Sequence, residues 1–212
     1  MARVMNSVDI LCTHEKIFRP ESIENPDEQI TRHDEWTRKG YQAECSWLAV
    51  PYLGSEWLRQ IIVVHVVRHP RNVIRSLLRT QLLTNTGRYR KWQKVVRQTI
   101  PELFDLKTGP ARAAYFWIEW NRRIVPHADA THRIEDDAKS LLEKLDIAYK
   151  ERAIYNDRTC NTRCFASPKG FELTQLPERL LGDLTGEMKR YGYTIDNHEL
   201  TVYEREGRVG AD

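Results

Sequence analysis

The chain has 212 residues, 41% of them hydrophobic and 30% charged, with a formal net charge of +3. That is enough for one compact domain with its own core, and no window approaches the roughly 18 uninterrupted apolar residues that a membrane-spanning helix needs. The N-terminus (MARVMNSVDILC) lacks the basic-then-apolar order of a secretory signal, and the four cysteines are too scattered for a disulfide framework, so a cytoplasmic protein with free thiols is expected.

Taken in chain order, residues 1–7 read as the end of a helix, Val8 to Cys12 as a short strand, and Thr13 to Phe18 as the loop leaving it. Residues 19–40 are polar and poorly periodic and read as an irregular or partly helical insertion over the site. Cys45 to Leu53 reads as a helix with Ser46 near its cap, bent or ended by Pro51. Ile61 to Val67 (IIVVHVV) is β-branched almost throughout without alternation, the pattern of a strand buried on both faces of a parallel sheet. The helix that follows opens at Pro70 and gathers Val73, Ile74, Leu77 and Leu78 on one face. A second proline-opened helix is expected from Ala111 to Val125, a strand from Ala130 to Ile134, and a helix from Asp137 to Leu145. The last helix runs from Pro177 to about Tyr191 with Gly192 as its C-cap, before a polar tail. Strands alternating with helices define an α/β fold with a parallel sheet.

Charge is distributed unevenly. Between Trp57 and Pro101 there is no acid, while ten basic residues occur: Arg59, Arg68, Arg71, Arg75, Arg79, Arg88, Arg90, Lys91, Lys94 and Arg97. Such a field favours phosphate, sulfate, nucleic acid or acidic sugar. In open parallel sheets ligands bind beyond the carboxyl ends of the strands, so the residues after Cys12 and after Val67 are the first candidates for a site. After Val67 come Arg68, suited to a bidentate phosphate contact, and Ser76, eight residues on in the following helix. After Cys12 come His14 and Glu15, either of which could act as a general base if burial raised a carboxylate toward neutrality. Neighbours on an extended segment point opposite ways, so only one of them faces a given ligand. Cys160 and Cys164 have no further ligand at metal spacing, and no metal is expected.

The segment VVRHPRNVIRSLL resembles the sulfotransferase signature of a strand ending in Arg, a Pro, and a Ser eight residues after the Arg. Weaker similarities to that family are carried by Glu44-Cys45-Ser46-Trp47-Leu48-Ala49, by Tyr115-Phe116-Trp117-Ile118-Glu119-Trp120-Asn121, by His132-Arg133-Ile134-Glu135-Asp136 and by Asn161-Thr162-Arg163. The resemblance implies a three-layer αβα fold of the P-loop NTPase-like type over residues 1–195, with residues 196–212 as a polar tail. It implies transfer of a sulfuryl group from 3′-phosphoadenosine 5′-phosphosulfate (PAPS) to a hydroxyl of a carbohydrate or other small molecule, without a metal. Arg68 and Ser76 would bind the 3′-phosphate, Asn161 and Arg163 would belong to the segment closing over the nucleotide, and Glu15 or His14 would be the base. The acid of the Arg133-Ile134-Glu135-Asp136 strand end would anchor loops, while Trp47, Trp117 and Trp120 would line an acceptor groove or fill the core. The family's opening strand and glycine-containing phosphate loop have no counterpart in the sequence, and residues 1–7 resemble the helix that follows that loop. Activity of these residues alone is therefore expected to be weak or absent. The alternative is a non-catalytic module gripping nucleotide or nucleic acid through the basic 57–101 segment, where Arg88, Tyr89, Arg90, Lys91 and Trp92 interleave charge with aromatics.

Overall fold

In a computed structural model of the chain, the residues described are 5, 10–20, 26–84, 89–148 and 171–195. In chain order they form β1 (Cys12–His14), α1 (Pro26–Arg38), β2 (Ala43–Cys45), β3 (Val64–Val67), α2 (Pro70–Thr80), α3 (Arg90–Thr99), α4 (Gly109–Ile124), β4 (Ala130–Arg133), α5 (Ala138–Lys144) and α6 (Glu178–Arg190). This is a mixed α/β structure. Its strands make two parallel pairs, β1 with β2 and β3 with β4, in place of the single sheet expected from the sequence.

Caps and prolines place the helices. His69 caps α2, its Nδ1 accepting from the Arg71 N–H (3.3 Å), and Pro70 occupies the first turn, where its missing N–H leaves no gap. Thr108 caps α4 by accepting from the Ala111 N–H, and Asp137 caps α5 by accepting from the Ser140 N–H (2.7 Å). At the end of α6, Gly192 takes φ +73, and the Tyr193 N–H returns to the Met188 carbonyl (3.0 Å). Helices α2 and α4 approach closely at Gly109, where a Cβ would lie 3.2 Å from Leu78 Cδ2.

Three expected elements are corrected. The strand at the N-terminal end is Cys12–His14, so His14 closes the strand and the turn begins at Glu15. The helix expected over Cys45 to Leu53 is instead the end of β2 followed by a 3₁₀ stretch, Trp47–Tyr52. Pro51 cannot donate to the Trp47 carbonyl as an α-turn requires, and that oxygen accepts from the Trp120 indole instead (3.2 Å). The strand expected over Ile61 to Val67 is only Val64–Val67, and Ile62 is 68% exposed. Its partner sets the limit: Asp129 bonds both the N–H and the C=O of Val63 immediately before β4 begins, and no ladder continues further back.

The main core gathers α2, α3, α4 and α6 around Ile74, Val96, Ile100, Leu103, Ile118 and Leu184. A second cluster joins Met5, Cys12, Leu141 and Leu142, with Ala43, Cys45 and Val64 against it. Strand β3 therefore carries helices on both faces: Val64 packs toward α5, while His65 bonds Asn121 of α4 (2.8 Å). The carbonyls of Val63 and Val67 turn toward β4, so the backbone groups of Val64 and Val66 face the opposite edge. By the same logic Cys45 accepts from the Glu15 N–H, and the Glu44 backbone faces away from β1. Among the described residues neither of these edges meets another strand.

Two buried histidines make stability depend on pH. His65 and His132, on the paired strands β3 and β4, are 1% and 2% exposed, and burial holds each below the ordinary value of 6.5. The unfolded chain takes up these protons near 6.5, and the folded chain only at lower pH. Stability is complete above that value and falls beneath it, by at most about 1.4 kcal/mol per pH unit for each ring. Thermal melts between neutral pH and pH ~5.5 are expected to show this slope, and His65→Gln is expected to reduce it.

Candidate functional site

The turn after β1 is built around one carboxylate. Glu44 of β2 accepts from the backbone N–H of Lys16 (2.6 Å) and Ile17 (3.2 Å), and its other oxygen accepts from the Thr13 hydroxyl, which itself accepts from the Trp36 indole (2.7 Å). This clamp holds Glu15 in the left-handed region at φ +53, a conformation costing a β-carbon-bearing residue on the order of 1 kcal/mol. The Glu15 carboxyl is half-buried, and burial pushes its pKa above the usual range. His14 and an indole hydrogen bond from Trp47 oppose that rise, and the nearby Glu44 charge adds to it. His14 is exposed, and its Nδ1 donates to the Cys45 carbonyl (2.6 Å).

Glu44→Ala is expected to cost about 3 kcal/mol, because it strips an ionised acceptor from two backbone donors and a buried hydroxyl. Urea denaturation checks this. Glu44→Gln, which keeps an acceptor oxygen, is expected to lose about half as much.

The exit of β3 is fixed from the opposite side. Arg68 is exposed at the end of the strand, and its backbone carbonyl accepts from the Trp117 indole (2.9 Å). Glu135 accepts from the His69 N–H (2.9 Å) and from the Tyr193 hydroxyl (2.6 Å), tying together the exits of β3 and β4 and the residues after α6. Burial and the Glu135 hydrogen bond hold the Tyr193 phenol protonated far above its ordinary range. His69 Nε2 donates to the Thr194 carbonyl (3.2 Å). Ser76 is half-buried two turns into α2.

The two places are connected through α4. The Glu15 carboxylate meets Trp47, whose carbonyl accepts from Trp120, and Trp117 of the same helix supports Arg68. Trp117 and Trp120 are buried in the core, whereas Trp47 is half-buried and stacks on Trp92 at 5.5 Å. No hydrogen bond or ion pair among the described residues joins His14 or Glu15 to Arg68 or Ser76. Asn161 and Arg163 lie outside the described residues, as do Cys160 and Cys164. Two residues that fix these elements separately, Glu44 at the β1 turn and Glu172 on α2, have no role assigned from the sequence; Glu172 binds Arg71 (2.6 Å). A groove of about 680 Å³ lined by Val50, Pro51, Gln98, Thr99, Arg123 and His127 lies at the opposite end, before β4 begins.

Among the described residues no group of three or more His, Cys, Asp or Glu is placed to hold a metal ion, and no helix is long and apolar enough to cross a membrane. Compared with protein-family models, with curated proteins and with solved structures, the chain matches none of them.

Proposed function

We propose that the chain belongs to a PAPS-dependent sulfotransferase lineage and that the exit of β3 binds the 3′-phosphate of the nucleotide donor. One observation carries this: Arg68 stands exposed at the carboxyl end of a parallel strand, immediately before a proline-opened helix that carries Ser76. A guanidinium there can fork onto a phosphate whose remaining charge faces the N-terminus of α2. The reading extends to a three-layer αβα fold, supported by the helices on both faces of β3, and to an acceptor hydroxyl on a carbohydrate or other small molecule.

As base, the local geometry favours Glu15 over His14. Its half-buried carboxyl is pushed toward neutrality, and a base must hold its proton affinity near the working pH. His14, whose Nδ1 donates to the Cys45 carbonyl, presents Nε2 as the alternative base. What is proposed for these 212 residues is the 3′-phosphate half of the donor site, because the phosphate loop that positions the transferring sulfuryl group in the family is not among them. The nucleic-acid alternative loses a stacking surface, since Trp92 is already packed on Trp47.

Calorimetric titration with adenosine 3′,5′-bisphosphate, beside single-stranded DNA at two salt concentrations, tests the proposal. Saturable nucleotide binding lost in Arg68→Ala supports it. Salt-sensitive DNA binding with no nucleotide affinity would sink it.

A further inference from the structure

The side chains of Arg71 and Arg75, one turn apart on α2, converge on a single carboxylate. Arg71 Nη2 donates to both oxygens of Glu172 (2.6 and 2.7 Å), and Arg75 Nη2 stands 3.6 Å from one of them. Their exposures are inverted relative to an ordinary surface ion pair. The Arg71 and Arg75 side chains are 11% and 22% exposed, and the anion is 44% exposed. Two permanent cations are thus fixed in the protein, and the anion reaches them from the solvent side.

The match is also incomplete. Among the described residues one carboxylate, Glu172, forms ion pairs with both arginines, and Arg75 Nε is buried with no hydrogen bond. Glu172 is the N-cap residue of the 3₁₀ turn Leu173–Gln175 that leads into α6. A tetrahedral dianion matches two guanidinium groups better than a carboxylate does. It supplies a second charge and a third oxygen, which can reach the donor on Arg75 that Glu172 leaves unused.

We propose that Arg71 and Arg75 form an anion pocket on α2, occupied by Glu172 in the ligand-free chain and taken over by a phosphate or sulfate group that displaces it. The pocket uses residues other than Arg68 and Ser76 and does not depend on the nucleotide-binding proposal. The anion could be free phosphate or the phosphate of a nucleotide, which share this chemistry. Displacing Glu172 breaks its tie to Arg71 and Arg75, while Phe171, Leu173 and Leu176 keep the segment before α6 in the core.

The test uses the full chain, with sodium phosphate titrated against sodium chloride at matched ionic strength and followed by calorimetry and thermal melting. Wild type is expected to bind phosphate weakly, and Glu172→Gln about tenfold more tightly because the competing carboxylate is gone. Glu172→Gln is expected to melt lower than wild type in chloride and to recover in phosphate. Arg75→Met is expected to lose phosphate binding. Equal destabilisation of Glu172→Gln in both salts, or unchanged phosphate binding in Arg75→Met, would overturn the proposal and leave Glu172 as a structural tie. A second arm titrates adenosine 3′,5′-bisphosphate into Arg75→Met. Loss of nucleotide binding there identifies the nucleotide's phosphate as an occupant, and retention with loss of inorganic phosphate identifies the free anion; either supports the pocket. A null result for Arg68→Ala counts against the nucleotide site alone, because the phosphate arm does not involve that residue.

Discussion

Arg68→Ala is expected to weaken adenosine 3′,5′-bisphosphate binding about ten- to hundredfold, the effect of removing one charge-assisted contact to phosphate. The melting temperature is expected to stay within a degree or so of wild type, in keeping with an exposed surface substitution. Two features separate these effects. The side chain of Arg68 is exposed, and the atom the core uses at this position is the backbone carbonyl, which Trp117 holds in any variant. Arg68→Lys keeps the charge and loses the fork, and is expected to fall between alanine and wild type. Ser76→Ala removes a single neutral hydroxyl and is expected to cost only several-fold. Affinity within twofold of wild type for Arg68→Ala would remove the main support for a 3′-phosphate site at the end of β3.

How far the sequence revealed the fold depended on whether the deciding interactions were local. Helices α2 and α4 announce themselves through Pro70 and Pro110 at their starts, and α6 through Gly192 past its end, because those signals act within one turn of chain. The 3₁₀ stretch Trp47–Tyr52 was not legible as such: Pro51 marks an interruption, but the partner that takes the freed Trp47 carbonyl is Trp120, 73 residues away. The truncation of β3 has the same character. Ile61 and Ile62 have strand composition, yet the ladder stops where β4 begins, a limit that lies in the partner's sequence.

The candidate site divides along the same line. Arg68 is visible because a cation ends an apolar run, and His14 and Glu15 because they stand at the end of a strand. Glu44 opens the segment Glu44-Cys45-Ser46-Trp47, but its hold on residues 13, 16 and 17 exists only once β1 and β2 pair in their parallel register. Glu172 is about a hundred residues from the arginines it meets, and a basic stretch without acids gives no hint of which carboxylate will enter it.

The largest loss of stability is expected from Trp117→Ala, about 3 to 5 kcal/mol, because the residue combines a large buried ring with a satisfied polar atom. The ring packs edge-on against Tyr191 of the α6 end, in the core where α4 meets α6, and its loss leaves a cavity that the surrounding helices can only partly close. Trp117→Phe separates the two contributions. It keeps most of the apolar contact and removes only the N–H that reaches the Arg68 carbonyl, at an expected cost of about 1 to 2 kcal/mol in urea denaturation. Because that hydrogen bond fixes the backbone from which the Arg68 side chain departs, Trp117→Phe is also expected to reduce adenosine 3′,5′-bisphosphate affinity several-fold, although the indole touches no ligand in the proposed site. A variant that loses stability but keeps full affinity would show that the direction of Arg68 is set by Glu135 and the start of α2 alone. Parallel losses would make α4 the element that transmits core packing to the phosphate-binding end of β3.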